Sequence, residues 1–399
     1  MRIIPSLSCD SEFYKKVMMH RSIMIESTIE KKYDFTLMVS TLLLLGWGTV
    51  MIYSTSAPFA EMQYQNSHFF LQKHLVHILL GIAVLALGLK IDYHLWQKYA
   101  SWMMLGMLLV LILVLIPEIG HEVKGGRRWL RFGSIGFQPV ELLKIVLIIY
   151  VAAYLERKQE MLSSFFRGLT PNFLVTGFFL FLILLQPDFG SVILIATTVL
   201  MMLYVGGGRP LHIFGSLIGM GLIGGFLIAS HSYRVKRILA FLNPWEDPLN
   251  SGFQIIQSYI ALGTGGWFGK GLGESHQKLF FLPDAHTDFI FAVIGEELGF
   301  LWVFVLVGIF SLFIWRGFWI SWNAPDRFGK YLAFGSTTIL SLQIIINLFV
   351  VSGLLPTKGL PLPFISYGGS NLLSTLFLTG ILLNISHQII PYQTPPGKQ

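Results

Sequence analysis

A chain of 399 residues that is 54% apolar and only 12% charged is not an ordinary soluble globular protein, which carries about 25% charged residues. Its net charge of +7 sits in short loops between long apolar runs, which points away from nucleic acid and toward phosphate or lipid headgroups. The single cysteine, Cys9, excludes an internal disulfide.

The first 33 residues are polar and lack the apolar core of a secretory signal, and Met18, Met19 and Met24 leave the true start open. A spanning helix needs about 20 mostly apolar residues. Ten runs qualify, near 34–54, 73–91, 99–117, 138–155, 172–187, 190–206, 211–230, 288–315, 331–352 and 370–390. The predicted fold is all-α, a polytopic integral membrane protein of ten transmembrane helices. A cytoplasmic tail, 1–33, precedes a membrane domain, 34–390, and a second cytoplasmic tail, 391–399, follows it. An even number of spans puts both termini on one side, and the excess of Lys and Arg in the loops of that side makes it cytoplasmic. The largest extracytoplasmic loop joins the seventh and eighth spans.

The outer loops carry basic clusters where few are expected. Lys124, Arg127, Arg128 and Arg131 follow the third span; Arg234, Lys236 and Arg237 follow the seventh. The planar fork of Arg suits phosphate, so these residues read either as an anion site or as a rim for lipid headgroups. The first cluster runs on through Gln138 to Glu141 and Lys144, whose i,i+3 spacing lets them pair, as a structural salt bridge or as support for a site. Asp188, in Gln186-Pro-Asp188, tops a short hairpin and is suited to cap the helix that follows. Within the long 231–287 loop, Gln254 to Leu262 has a helix-like pattern expected to lie flat on the outer leaflet.

The segment Leu282-Pro-Asp-Ala-His-Thr-Asp288 ends where water meets hydrocarbon, and Glu296 and Glu297 lie about two turns deeper. Charge at membrane depth costs about 2.5–3.5 kcal/mol per group even on a lenient scale, so it often marks a working site. Asp288 reads as such a carboxylate or as a helix cap. From Gly353 to Ser370, three prolines and several glycines forbid a regular helix. Such backbone is tolerated at membrane depth only against protein or a wet cavity, so a groove is expected there. No Walker loop, dinucleotide fingerprint or His-Glu-x-x-His occurs. His74 and His77 have no carboxylate or cysteine companion, so no metal site is expected. ATP-driven transport and metalloprotease chemistry lose support.

Leu282-Pro-Asp-Ala-His-Thr-Asp-Phe-Ile-Phe291, Gly295-Glu-Glu-Leu-Gly299 and Pro361-Leu-Pro-Phe-Ile-Ser-Tyr-Gly-Gly-Ser370 together resemble the SEDS family (shape, elongation, division and sporulation), ten-span bacterial glycosyltransferases that polymerise lipid II. The resemblance runs from about Tyr33 to Ile390 and includes Arg127-Arg-Trp129, Gln138-Pro-Val-Glu141 and Gln186-Pro-Asp188. Leu355-Pro-Thr-Lys-Gly-Leu-Pro361 is similar to the division, FtsW-like branch. Val140 stands where the family usually has Ser, Asp284 where Glu is common, and Asn371 where Ser is common.

The resemblance implies a peptidoglycan glycosyltransferase of septal cell-wall synthesis in the bacterial inner membrane at the division site. It implies Asp288 as catalytic base, and substrate contacts from Arg127, Arg128, Lys144, Arg234, Arg237, Ser366 and Ser370. Gln138, Glu141, Asp188, His286, Glu296 and Glu297 are the supporting residues. It implies no cofactor, and the sequence leaves a divalent cation open. The implied partners are a class B penicillin-binding protein, a transpeptidase, and other membrane proteins of the division complex. The transpeptidase helix is expected on spans eight and nine. There Phe304, Phe310, Leu312, Phe313 and Trp315 form a wide surface, and Gly308, Ser311, Gly335 and Ser336 offer close packing. A rival reading is a flippase for a lipid-linked precursor, with Glu141, Lys144, Glu296 and Glu297 along a path through the bilayer.

Overall fold

Helix α1, Phe35–Tyr64, begins where the Asp34 carboxylate accepts the Leu37 N–H at 2.8 Å, giving a partner to one of the N–H groups that a helix start leaves open. The computed structural model describes residues 33–389 apart from Lys124 and Ser134. Cys9, the expected tails (Tyr33 excepted) and Lys124 lie outside the described residues.

The helices follow the apolar runs: α2 (Phe69–Lys90), α3 (Tyr93–Leu115), α4 (Pro139–Arg157), α5 (Thr170–Leu185), α6 (Phe189–Val205), α7 (Pro210–Ala229), α8 (Ser232–Leu242), α9 (Phe253–Thr264), α10 (Ile290–Asn323), α11 (Arg327–Val351) and α12 (Gly369–Gln388). Among the described residues, eight helices are long and apolar enough to cross a membrane, and the chain is a polytopic membrane protein. Two further expected spans coincide with α4, which carries Glu141, Lys144, Glu156 and Arg157, and α6, which has 17 residues.

The bundle is built on α12, whose residues are almost all buried. Glycines let its neighbour α2 come close. A Cβ on Gly88 would stand 2.9 Å from the Phe377 carbonyl oxygen, and one on Gly380 would stand 2.4 Å from that of Leu85. In lipid, where apolar surface gives no special drive to association, such backbone approach is what holds helices together. At the other extreme α7 buries none of its residues.

Three features differ from the sequence expectation. Residues 120–137, read as an irregular basic loop, form an antiparallel sheet of β1 (Gly120–Val123), β2 (Gly126–Phe132) and β3 (Ile135–Phe137). Its turns use Gly125 and Gly133 at φ +74° and +61°, where a side chain would be strained. The fold is therefore mostly helical and not purely so. The helix expected flat on the leaflet, α9, instead buries Ile255, Ile256, Ser258 and Ala261, and the Ser258 hydroxyl donates to the Val351 carbonyl at 2.6 Å.

Helix α10 is broken at Gly299, whose φ is +81°. The glycine run after α9 enters the break. Lys270 and Gly271 donate their N–H groups to the Glu296 and Glu297 carbonyls, both at 3.0 Å, while Phe300 donates to Gly266 at 2.9 Å. A Cβ on Gly269 would lie 2.1 Å from the Glu297 carbonyl oxygen, so only glycine fits there.

Candidate functional site

The outer polar segments converge on one cavity of about 2120 Å³. The 282–288 segment supplies its most telling group. Asp284 adopts φ +57° and its carbonyl accepts from both Thr287 and Phe289, a tight turn that sets Asp288 just before α10. The N-cap position is Phe289, so Asp288 stands one residue before the helix start. It lines the cavity, half-buried, at a helix N-terminus whose dipole favours the carboxylate.

The broken backbone 353–368 is stitched to this segment. Asn347 donates to the carbonyls of Asp288 and Leu360, each at 2.8 Å. The Tyr367 N–H donates to the His286 carbonyl at 3.0 Å, and the Ser366 hydroxyl donates to the Thr287 carbonyl. Ser366 also accepts the Leu362 N–H at 2.8 Å. It is buried and does not line the cavity, so the structure turns the expected substrate contact into a staple. Ser370 does line the cavity, and accepts the Gln138 N–H at 3.0 Å. His286 reaches the cavity edge among Phe59, Phe70 and Tyr367, stacked on Phe59 at 5.8 Å.

The expected arginines divide. Arg128 lines the cavity and donates to the carbonyls of Gln186 and Pro187 at 2.9 and 3.1 Å, locking β2 to the α5–α6 turn. Asp188 in that turn caps α6, accepting the Ser191 N–H at 3.1 Å and its hydroxyl at 2.9 Å, and it also lines the cavity. Arg234 and Arg237, on α8, stand on the same wall. Arg127 does not: β2 alternates its side chains, and Arg127 faces Glu122 at 3.8 Å. Lys144 is likewise absent from the lining. It is buried between Glu141 at 2.7 Å and Gln343 at 3.0 Å, and the Ser374 hydroxyl donates to Glu141 at 2.8 Å. Gln343 in turn donates to the Pro361 carbonyl and to Asn371, so this network supports the loop from behind.

Glu296 and Glu297 are fully buried and fully engaged. Lys270 approaches Glu296 at 2.7 Å, with Ser275 and the His276 N–H alongside. Lys278 meets Glu297 at 2.8 Å, and Ser54 donates to the same carboxylate. They fasten the glycine-rich loop into the α10 break, and they do not line a path through the bilayer.

Several lining residues were not among the expected site residues. Lys73 and His77 come from α2, Trp129 from β2 and Tyr367 from the broken segment. Lys358 is the most notable of them. Its ammonium stands 4.9 Å from the Phe189 ring, and the Arg234 guanidinium is 5.3 Å from the same ring. Burial pushes its pKa down to about 8, with Asp188 opposing the fall and Arg237 adding to it. The groove expected at 353–370 is also differently built. That segment lines the cavity with a mixture that includes Leu355, Thr357, Lys358, Leu360 and Tyr367, and further apolar lining comes from Phe181, Leu184 and Leu185 of α5 and Ile223, Phe226 and Leu227 of α7.

The cavity thus places the Asp288 carboxylate, with those of Asp188 and Asp284, among cations and beside an apolar wall. Chains of known kind share the sequence around it. A "Probable peptidoglycan glycosyltransferase FtsW" of Geobacter metallireducens is 46% identical over 89% of this chain and 95% of its own length. The stage V sporulation protein E of Bacillus subtilis is 42% identical over 88% of this chain and 96% of its own. In structure, a chain from work on the structural coordination of polymerization and crosslinking by a peptidoglycan synthase complex matches with a TM-score of 0.74. It is 29% identical, over 91% of this chain and 99% of that one. The family that joins FtsW, RodA and SpoVE, described as cell cycle protein, matches residues 35–390, and with this span and these identities the chain belongs to it.

Proposed function

We propose that this protein is a peptidoglycan glycosyltransferase that polymerises lipid II into β-1,4 glycan strands during septal cell-wall synthesis. The observation that carries this reading is the cavity itself: Asp288, Arg128, Arg234 and Arg237 face a space whose other wall is apolar. A polyprenyl diphosphate sugar needs that combination, with cations for the diphosphate and hydrocarbon for the chain. The relatives named peptidoglycan glycosyltransferase support the same activity.

In this mechanism the Asp288 carboxylate takes the proton from the 4-hydroxyl of the acceptor GlcNAc. The oxygen attacks C1 of the donor MurNAc, the bond from C1 to the diphosphate breaks with inversion, and undecaprenyl diphosphate leaves with the electron pair. General base catalysis contributes about 10²–10⁴-fold. The arginines hold the diphosphate, and Ser370 and His286 shape the space around the sugars.

The relevant partner is a class B penicillin-binding protein, a reading supported by the similarity to a chain from a synthase complex that coordinates polymerization and crosslinking. The setting is the bacterial inner membrane at the division site, with both termini cytoplasmic and other division proteins alongside. The flippase reading loses its main support, because the carboxylates that would mark a path are locked in ion pairs.

The deciding experiment is synthesis from lipid II by the purified protein in liposomes. Wild type should make glycan strands, and Asp288→Asn, which keeps the shape, should make none while still binding its transpeptidase. Glycan synthesis at the wild-type rate by Asp288→Asn removes it as base. Lipid translocation without polymer replaces the enzyme by a flippase.

A further inference from the structure

Lys358 is held in place from several sides. It lies on the cavity wall one residue before Gly359, and a Cβ on Gly359 would come within 2.7 Å of Asp288 Oδ2. The Phe189 ring lies under its ammonium, and Arg237 donates to the Thr357 carbonyl at 3.5 Å. Asp188 from the α5–α6 turn and Arg237 from α8 act on its charge, and Arg128, His231, Arg234, Asp284 and Asp288 line the same cavity. Among the cations that line the cavity, Lys358 is the one whose next residue, Gly359, stands directly against Asp288.

We infer that Lys358 is the cation that meets the leaving diphosphate at the reacting end of the cavity, beside Asp288, while Arg234 and Arg237 hold its outer part. The inference rests on the polymerase reading of this site. As the acceptor proton moves to Asp288 and the new O4–C1 bond forms, the C1–O bond breaks and its electron pair remains on the phosphate oxygen. Charge on that oxygen rises in the transition state, so a fixed ammonium there acts on the barrier more than on binding. A lysine suits this end because its charge is compact, whereas the arginine forks match the spread oxygens further out.

The group must be protonated to work. Since burial brings its pKa down to about 8, kcat/KM of the free enzyme should fall as pH rises through about 8. The test is lipid II polymerisation by the purified full-length protein across pH 6 to 10, with inhibition by undecaprenyl diphosphate measured alongside. Lys358→Met should lose about 10²-fold in kcat/KM, and the diphosphate should inhibit it at least tenfold more weakly. Lys358→Arg, charged throughout this range, should retain part of the rate and lose the alkaline fall.

Lys358→Met within twofold of wild type overturns the inference. So does an alkaline fall that persists unchanged in Lys358→Arg, which decides the matter if the methionine variant fails to fold. Failure of the wild-type protein to make any glycan from lipid II would instead strike the polymerase reading itself.

Discussion

Gly359 stands directly against the carboxylate of Asp288, with room for a hydrogen and not for a methyl group: a Cβ there would be 2.7 Å from Oδ2. The broken segment thus sets the position of the carboxylate through the absence of a side chain. Gly359→Ala should fold normally, because a side-chain end can swing away where a backbone cannot. The carboxylate would shift by a fraction of an ångström to about one, and misplacement on this scale costs about 10²-fold in rate. Glycan synthesis should fall accordingly with the melting temperature unchanged, and a wild-type rate would show that the carboxylate has slack.

Adjacent arginines of β2 should behave differently. Arg128 lines the cavity and locks the 186–187 carbonyls, whereas Arg127 faces Glu122 outside it. Arg127→Ala should leave the KM for lipid II within about twofold, since an exposed pair of this kind is worth only about 0–1 kcal/mol. Arg128→Ala should raise KM and lower the rate, and Arg128→Lys should fall between, because the charge stays and the fork is lost. Equal effects at the two positions would return the cluster to a general headgroup rim.

Glu297 and Lys278 form a buried pair with Ser54. Removing one partner of such a pair leaves an uncompensated charge and costs about 3–5 kcal/mol. Glu297→Ala and Lys278→Met should each lower the melting temperature sharply and release the 266–278 loop from the α10 break. The double variant should be less damaged than the sum of the two. Strict additivity in that cycle would mean that the two groups do not stabilise one another.

Much of this site was readable from residue type and spacing. Asp288 was legible because a charge at the start of an apolar run is expensive, and the 353–370 segment because three prolines rule out a helix. Asp188 was legible as a cap. What stayed hidden depends on distance in the fold. The partners of Glu296 and Glu297, Lys270 and Lys278, lie 26 and 19 residues upstream, in and just after a glycine run that reads as flexible. Lys358 looks like a loop lysine until α6 and α8 close around it. The β-sheet was missed because strands of three to seven residues, joined by glycine turns and rich in arginine, give too short a pattern to read as period two.

The surface of α10 proposed for the partner helix is smaller than its sequence suggests. Phe304, Leu312 and Trp315 are exposed, but Phe310 and Phe313 are buried within the protein. Gly335 and Ser336 are also inside, since a Cβ on Gly335 would meet Met202 Sδ at 2.6 Å and Ser336 has no exposed surface. Gly308 opens on unoccupied space, and Ser311, one turn on, is exposed with its hydroxyl turned back to the Val307 carbonyl at 2.8 Å. A small residue next to exposed aromatics is where a single membrane helix can approach closely. Cysteines at 308 and 311 should therefore cross-link to cysteines in the transpeptidase helix in native membranes. Cysteines at 335 and 336 should neither cross-link nor react with a membrane-permeant maleimide while the protein is folded. Cross-linking restricted to other helices would move the interface away from α10 and leave the catalytic proposal standing.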